Sequence, residues 1–303
     1  MSSQATDIVR EAHRRDRELG SYVMLGIRQG QRLGFRTASR IITAYKRGGD
    51  VLGRYHAMLT PLADLLRETM VVTHIVGLLQ VYRRVPGLDV ALASSPFGQA
   101  IRVLRRRARL SLAAIAELRA QYDAVATQMV TRASAAAEKR LQEAMWRITA
   151  EGMHVREGAV ELQKAFEASG LGGTRSYTIE AIMRTQTQIA NAAGQWQAAR
   201  DPVVDEILWG WRYYAVGDQR TRPTHAAMDG MTLPKDDPRW LTMTPPNGYN
   251  CRCTLVEIFD RVPRGGVKEP PQTTADDKGR TLIVSPDRGF AWNPGEVYGR
   301  LAA

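Results

Sequence analysis

The sequence predicts an α+β protein with a mainly helical N-terminal region that contains a long helix, a small α+β C-terminal module and an extended tail. Three observations predict this organisation. No Gly or Pro occurs from Gln99 to Glu151, where helix-forming residues dominate. Aromatic and β-branched residues concentrate in 207–216, and Pro, Gly, Asp and Thr become frequent after Pro263. We therefore expect a helical region at 1–175, the module at 176–262 and the tail at 263–303.

The N-terminal region is predicted to hold shorter helices before the long one. Turn-forming pairs separate them at 48–49, 60–61 and 86–87, and the Ser-Ser-Pro at 94–96 opens the long helix. The long helix carries an apolar seam at steps of three and four: Ile115, Leu118, Tyr122, Val125 and Met129. Unbroken, this helix would be roughly 80 Å long, since each residue rises about 1.5 Å. A break near Ser134 is the alternative.

The module is predicted to begin with a helix and to continue with short strands. A Gly-rich loop at 169–173 precedes the helix, 176–199, whose inward face repeats at steps of four and three: Ile182, Gln186, Ile189, Ala193 and Trp196. The later elements follow in order: a strand within 207–216, a short helix that starts at Pro223, an Asp229-Gly230 turn, a strand at 231–233 and a closing strand at 253–258.

Positive charge is concentrated in the first half of the chain. The net charge is +11, and Lys and Arg outnumber Asp and Glu by 24 to 12 within residues 1–150. Such an excess suits an anionic partner. Four arginines at helical spacing share one face, where they are predicted to contact phosphates or the acidic surface of a partner: Arg102, Arg105, Arg106 and Arg109. The alternative is a solvated helix flank.

Composition argues against several protein classes. Two cysteines in 303 residues exclude a scaffold built from disulfides. Charged residues between Asp7 and Asp16 occupy the place where a signal peptide needs an apolar run. The most apolar stretch, 70–82, is too short to span a bilayer and contains His74 and Gln80. We expect a soluble, intracellular protein without a membrane partner.

Both cysteines and a single histidine lie in the module. Cys251 and Cys253 would point to the same face of an extended strand, with Cα atoms on the order of 6.5–7 Å apart, which is long for a disulfide. Two thiolates can instead hold a zinc ion, with His225 as a third ligand and Asp218 as a fourth. The alternative is a polar core without metal, in which the cysteines are small buried hydrophobic residues.

A Cys–His nucleophile is another interpretation of the same residues. His225 would activate a cysteine for attack on a carbonyl, with Asn250 and Asp218 as nominal partners. The sequence shows no oxyanion site, so this interpretation ranks last. Asp218, Arg220 and Arg222 more simply form a polar network at a turn.

Two strings within the module resemble a known family. They are VGDQRTRPTH at 216–225, with Asp229-Gly230 after it, and PPNGYNCRC at 245–253. Together they resemble the C-terminal domain of the phage Mu F-like minor head proteins, also called phage head morphogenesis proteins. The resemblance covers about 178–295, and Gln186 departs from it because the family commonly has Glu there. The motif positions in this chain are Asp218, Arg220, Thr221, Arg222, His225, Gly230, Pro246, Asn250, Cys251, Arg252 and Cys253.

The resemblance implies a low-copy component of the phage head at the portal vertex, which acts in head morphogenesis and in DNA packaging or delivery. It implies the portal protein and the capsid as partners, phage DNA as a further partner, and a virion location after assembly in the host cytoplasm. No complete active site is visible, so we expect no enzymatic activity. A DNA-binding protein that uses its basic N-terminal helices is the alternative function, and a Cys–His hydrolase is the third.

Overall fold

The computed structural model describes residues 3–85, 110–172, 177–259 and 265–298. The described residues form helices and short strands in the predicted α+β arrangement. The helices are α1 (Ser3–Lys46), α2 (Val51–His56), α3 (Leu59–Tyr82), α4 (Leu112–Ala150), α5 (Val155–Ala168), α6 (Tyr177–Ala199), α7 (Pro202–Ile207), α8 (Pro223–Ala227), α9 (Trp240–Met243) and α10 (Pro294–Tyr298). The strands are β1 (Gly210–Tyr214), β2 (Thr232–Pro234), β3 (Thr254–Ile258), β4 (Thr273–Ala275) and β5 (Thr281–Ile283). Across these ranges, no helix has a stretch long and apolar enough to cross a membrane.

The helix α4 confirms a long helix in this part of the chain, but it begins at Leu112, since the described residues Leu110 and Ser111 are not helical. It runs for 39 residues and passes Ser134 without a break. Ile115, Leu118 and Tyr122 of the predicted seam are buried. Val125 and Met129 are half-buried, because the buried row drifts by one position to Ala126 and continues at steps of three and four. The part of the predicted helix before Leu110 lies outside the described residues.

The first helix ends at the predicted turn at 48–49, but it is not shorter than the long helix. It extends through 44 residues, whereas α4 has 39. Two of its internal glycines lie at close contacts. A Cβ atom at Gly30 would lie 2.7 Å from the Ile179 side chain, and one at Gly34 would lie 2.2 Å from the Leu171 carbonyl oxygen. Gly30 and Gly34 therefore mark a contact surface and not a break.

The strand predicted within 207–216 begins later than expected. Asp201 caps a short helix, α7, because its side chain accepts a hydrogen bond from the Val203 amide, and Pro202 occupies the first helical position. Ile207, which was predicted to lie in the strand, is the last residue of this helix, and β1 starts at Gly210. The strand β1 is central in a three-stranded antiparallel sheet of order β2-β1-β3, with Trp211 opposite Leu233 and Glu257.

The core of the module lies on this small sheet. Trp196 stacks on Trp211 with ring centroids 4.6 Å apart, and Trp211 meets Trp240 edge to face at 5.8 Å. The tail packs on the module. Its strands β4 and β5 pair with each other, and Asn293 donates a hydrogen bond to the Trp240 carbonyl at 3.0 Å.

The chain divides into two compact units that are built from separate segments. Unit 1 contains 1–22, 70–117 and 184–303, and unit 2 contains 23–69 and 118–183. Within unit 1, α3 and α6 are buried on all sides over 70–81 and 185–196. The predicted domain boundaries after residues 175 and 262 stay a prediction.

Unit 1 buries a network of ion pairs beside the sheet. Arg15 is 2% exposed and binds Glu257, which is fully buried, through two contacts of 2.5 and 3.1 Å. Arg84 donates to the carbonyl oxygen of Glu257 at 2.6 Å, and Glu11 accepts from Arg15 at 3.0 Å and from Arg83 at 2.6 Å. Glu18 accepts a further hydrogen bond from Arg83 at 2.7 Å, so three carboxylates match the three arginines within unit 1.

Candidate metal centre

Three residues of the module converge on one buried point. His225 lies in α8, and Cys251 and Cys253 lie in the loop that enters β3. The Nδ1 atom of His225 is 3.6 Å from the Cys251 sulfur and 3.8 Å from the Cys253 sulfur, and the three atoms lie within 4.8 Å of one another. The closing strand was predicted to start at Cys253, but β3 starts at Thr254, so the cysteines belong to a loop and not to a strand face.

The helix α6 holds the cysteine loop in place. Thr185 accepts a hydrogen bond from the Asn250 amide at 3.1 Å, and Gln188 donates to the carbonyl oxygen of Cys253 at 2.8 Å. Asn250 has a φ of 58°, a conformation that Asn tolerates better than most side chains, and it turns the chain between the two contacts. The sharp turn places both thiols on the same side of the loop.

The cluster is closed to solvent. His225, Cys251 and Cys253 are 2%, 5% and 3% exposed. Asn247 lies against them and donates hydrogen bonds to the Tyr213 hydroxyl at 3.1 Å and to the Met243 carbonyl at 3.2 Å. Within the described part of the chain, two buried polar atoms at this site have no hydrogen-bond partner: Nε2 of His225 and Oδ1 of the neighbouring Asn247. The polar groups of the cluster are therefore not fully satisfied by one another.

The pKa values of the two thiols are shifted in opposite directions. A hydrogen bond from Cys253 lowers the pKa of the Cys251 thiol well below its ordinary value, and His225 lowers it further, although burial acts in the opposite direction. The same hydrogen bond to Cys251, together with burial, raises the pKa of Cys253. Burial also raises the pKa of the Tyr213 hydroxyl beside them. The cluster thus favours one thiolate, which is the form of cysteine that binds metals.

Asp218 is not brought to the cluster. Its carboxylate accepts hydrogen bonds from Arg252 at 2.5 Å, from the Arg220 amide at 3.0 Å and from Thr221 at 3.3 Å. The Arg252 contact is the main reason why the pKa of Asp218 lies far below its ordinary value. Asp218 therefore belongs to the predicted polar network at the turn. It does not lie beside the thiols, so the prediction that it is a fourth metal ligand is wrong.

Asp287 is the carboxylate that the sequence analysis missed. Its Oδ1 atom is 3.9 Å from His225 Nε2, on the side of the imidazole away from the sulfurs, and its Oδ2 atom is 3.3 Å from Arg222 Nε. The Asp287 amide donates to the Asn247 carbonyl at 2.8 Å. A Cβ atom at Gly248 would lie 2.2 Å from this carboxylate, so glycine leaves the room that Asp287 occupies. No spacing rule connects residue 287 to a cysteine motif that ends at 253, although residue 287 lies within the 178–295 range of the family resemblance.

The remaining motif residues shape the loops around the cluster. Gly230 has a φ of 78° and donates from its amide to the Tyr213 carbonyl at 2.9 Å, which starts the turn into β2. Arg222 precedes α8 and donates to the Tyr249 carbonyl at 2.9 Å. Pro246 is buried in the loop before Asn247. The basic group Arg102, Arg105, Arg106 and Arg109 lies outside the described residues.

Comparison with known proteins places the cluster in a family context. Residues 149–256 match the family model described as "Phage Mu protein F like protein". Residues 149–256 therefore belong to the Mu F-like family. This Mu F-like segment contains His225, Cys251 and Cys253, whereas Asp287 lies beyond it.

Two curated relatives match parts of the chain. The "Mu-like prophage FluMu F protein" of Haemophilus influenzae is 37% identical over 82 residues, which are 27% of this chain and 19% of the relative. The "Putative capsid assembly protein F" of Escherichia phage Mu is 31% identical over 141 residues, which are 38% of this chain and 31% of the relative. The chain thus spans less than a third of the length of either relative. No solved structure matches the chain.

Proposed function

We propose that this protein is a non-enzymatic minor component of a phage head, which associates with the portal vertex and acts in head assembly and in DNA packaging or delivery. The observation that carries the proposal is the Mu F-like segment, whose curated relatives include a protein named for capsid assembly. The segment coincides with the part of the module that surrounds the His-Cys-Cys cluster. In this proposal the partners are the portal protein and the capsid, and the protein reaches the virion after assembly in the host cytoplasm.

A head component of this kind should co-purify with procapsids and virions. We expect the protein at an abundance far below that of the major capsid protein and in a fixed ratio to the portal protein. Quantitative mass spectrometry of purified particles, with the portal protein as the internal standard, measures that ratio. Absence of the protein from both procapsids and virions would contradict the proposed function.

The alternative function, DNA binding through the basic N-terminal helices, stays a prediction. It was assigned to the arginines between 102 and 109, which lie outside the described residues. The third function, a Cys–His hydrolase, is not favoured. Cys251 and His225 are each at least 95% buried, so a substrate has no direct access to the sulfur.

We propose that the His-Cys-Cys cluster is a structural zinc centre. With bond lengths of about 2.3 Å to sulfur and about 2.0 Å to nitrogen, a sulfur and a nitrogen on tetrahedral zinc lie about 3.5 Å apart. The observed separations of 3.6 and 3.8 Å between His225 Nδ1 and the sulfurs are close to this value. Two sulfurs and an imidazole nitrogen are a donor set that zinc prefers. Among the described residues, no further thiol, imidazole or carboxylate joins the three.

Asp287 would serve this centre as a positioning residue. Imidazole ligands usually direct their second nitrogen to a carboxylate, which fixes the ring in the orientation needed for binding. His225 Nε2 is buried without a hydrogen-bond partner among the described residues, and Asp287 is the carboxylate that faces it. Because Arg222 holds the other oxygen of Asp287, the tail and α8 are joined at the cluster. A bound zinc would therefore tie α8, the cysteine loop and the tail together.

Metal analysis and chelation test the zinc centre. Protein prepared without chelators should contain about one zinc per chain, and chelation should lower its melting temperature, because metal affinity contributes directly to folding free energy. His225→Gln should abolish the bound zinc. His56→Gln is the matched control, since His56 is an exposed imidazole in unit 2 and its replacement should leave the zinc content unchanged.

Two outcomes would contradict the centre as proposed. One is parent protein without zinc, in which case the buried polar core without metal is the correct interpretation and Cys251→Ser should still lower the melting temperature. The other is a Cys251→Ser variant that keeps its stability and loses a measurable hydrolytic activity. That result would favour the nucleophile and would also overturn the non-enzymatic function.

A further inference from the structure

A basic cleft lies in unit 2, away from any residue of the metal centre in sequence. It has a volume of about 300 Å³ and is formed where α1 ends and α2 begins. Its charged lining residues are Arg40, Arg47, Arg54 and Asp50. A cleft of this size is at the lower end of the range of small-ligand sites in proteins. All three arginines come from the 39–54 stretch, so the positive charge of the cleft is supplied by this one segment of the chain.

The three arginines of the cleft have no ionic partner in the part of the chain that the structure describes. Among the described residues, none of the guanidinium groups of Arg40, Arg47 and Arg54 has a carboxylate within ion-pair distance. Some other arginines of unit 2 are paired: Arg67 contacts Asp123 at 2.7 Å, and Arg119 contacts Glu68 at 2.9 Å. The cleft differs from these two positions, where carboxylates neutralise the arginine charge.

The other polar groups of the cleft are already engaged. Asp50 caps α2, and its carboxylate accepts a hydrogen bond from the Gly53 amide at 2.7 Å. Ser39 and Thr43 donate their hydroxyl protons to carbonyl oxygens of α1, at 3.3 and 2.8 Å. The donors that remain for a ligand are the guanidinium groups. The charged lining sums to +2, since three arginines face one aspartate.

We propose that this cleft binds a phosphate group. Guanidinium groups present paired N–H donors that match the oxygens of phosphate, and a phosphate monoester or free phosphate carries about −1.5 to −2 charges at neutral pH, which balances the cleft. Arg36, one helical turn before Arg40, is exposed and also unpaired among the described residues, so the basic surface continues along α1. The phosphate source is either free phosphate or a nucleic-acid backbone, and the binding chemistry is the same.

Binding measurements on the full chain test this site. Inorganic phosphate is titrated by calorimetry at low salt, and a labelled 20-base-pair DNA duplex is titrated by fluorescence anisotropy. Because a hydrogen bond to a charged group contributes enough to change an equilibrium by about tenfold or more, Arg47→Gln should weaken phosphate binding by about that factor. The triple variant Arg40→Gln, Arg47→Gln, Arg54→Gln should abolish it. Arg132→Gln is the matched control, because Arg132 is an exposed arginine of unit 2 outside the cleft.

The two probes identify the source. The ligand is a nucleic-acid backbone if the triple variant loses duplex binding and if free phosphate competes with the duplex for the parent protein. Loss of phosphate binding with unchanged duplex binding assigns free phosphate. The proposal is overturned if the triple variant binds both probes like the parent, if Arg132→Gln is as impaired as Arg47→Gln, or if polyglutamate binds the cleft as tightly as phosphate. Circular dichroism melting of each variant shows that it is folded, and Arg47→Gln alone decides the test if the triple variant is not.

Discussion

Replacing Glu257 by Gln is expected to lower the free energy of unfolding by about 3–5 kcal/mol, the cost typical of breaking a buried ion pair from one side. Burial disfavours the charged form of Arg15, but the adjacent Glu257 carboxylate more than compensates and raises the Arg15 pKa above its ordinary value. Without that carboxylate, Arg15 keeps Glu11 as an ionic partner, and Arg84 keeps the Glu257 carbonyl and the ring of Phe259. Urea unfolding followed by circular dichroism measures the loss.

Two further variants distinguish the effect of burial on the free energy of unfolding from the effect of losing a charge. Asp7→Asn removes the acidic partner of Arg10 in an exposed pair, and we expect a change within about 0.5 kcal/mol. The double variant Arg15→Met with Glu257→Leu should recover part of the stability lost in Glu257→Gln, because a buried pair replaced by apolar side chains leaves no uncompensated charge. A loss below about 1 kcal/mol for Glu257→Gln would contradict the prediction, since it would fall within the range of surface pairs.

Replacing Gly194 by Ala should destabilise unit 1 by about 3 kcal/mol or more. The helices α3 and α6 approach each other backbone to backbone, and a Cβ atom at Gly194 would lie 2.0 Å from the His74 carbonyl oxygen. The reciprocal contact exists at Gly77, whose Cβ atom would lie 2.1 Å from the Asn191 carbonyl oxygen. No rotamer change relieves a clash with main-chain atoms, so the helices must separate and lose packing over their buried lengths.

Gly20→Ala provides the control for this substitution. Gly20 lies in α1, also within unit 1, and a Cβ atom there meets no atom within 4 Å. Ala has a higher helix propensity than Gly, so this variant should be more stable than the parent by up to about 1 kcal/mol. Thermal unfolding of both variants gives the comparison. Equal melting temperatures for Gly194→Ala and the parent would show that the helices are not in close contact.

Local patterns predicted much of the fold. The absence of Gly and Pro and the apolar seam located α4, because both are properties of a single helix. Pro223 located the start of α8, and the motif residues located His225 and the two cysteines at one site. Local patterns did not indicate the role of Gly30 and Gly34 in α1. A glycine in a helix can reflect flexibility or close packing, and only the neighbouring chain decides between them.

Contacts between distant residues account for what the sequence did not predict. Asp218 was proposed as a fourth ligand, but Arg252, 34 residues away in the chain, binds it at 2.5 Å. Asp287 was missed because its position beside His225 depends on how the tail packs. The burial of Glu257 was also missed. Its partner Arg15 is separated from it by 242 residues, and no periodicity in either segment indicates the other.

The assembly of unit 1 from three separate segments also sets the order in which a nascent chain folds. At about 5–20 residues per second, Glu257 is synthesised roughly 12 to 50 s after Arg15. Unit 2 ends at residue 183, so all of its segments leave the ribosome before the sheet of unit 1 has been translated. During this interval the apolar half of α3, residues 70–81, has no α6 to pack against. A chaperone that binds apolar helices on ribosomes would meet its substrate there, before α6 has been completed at Ala199.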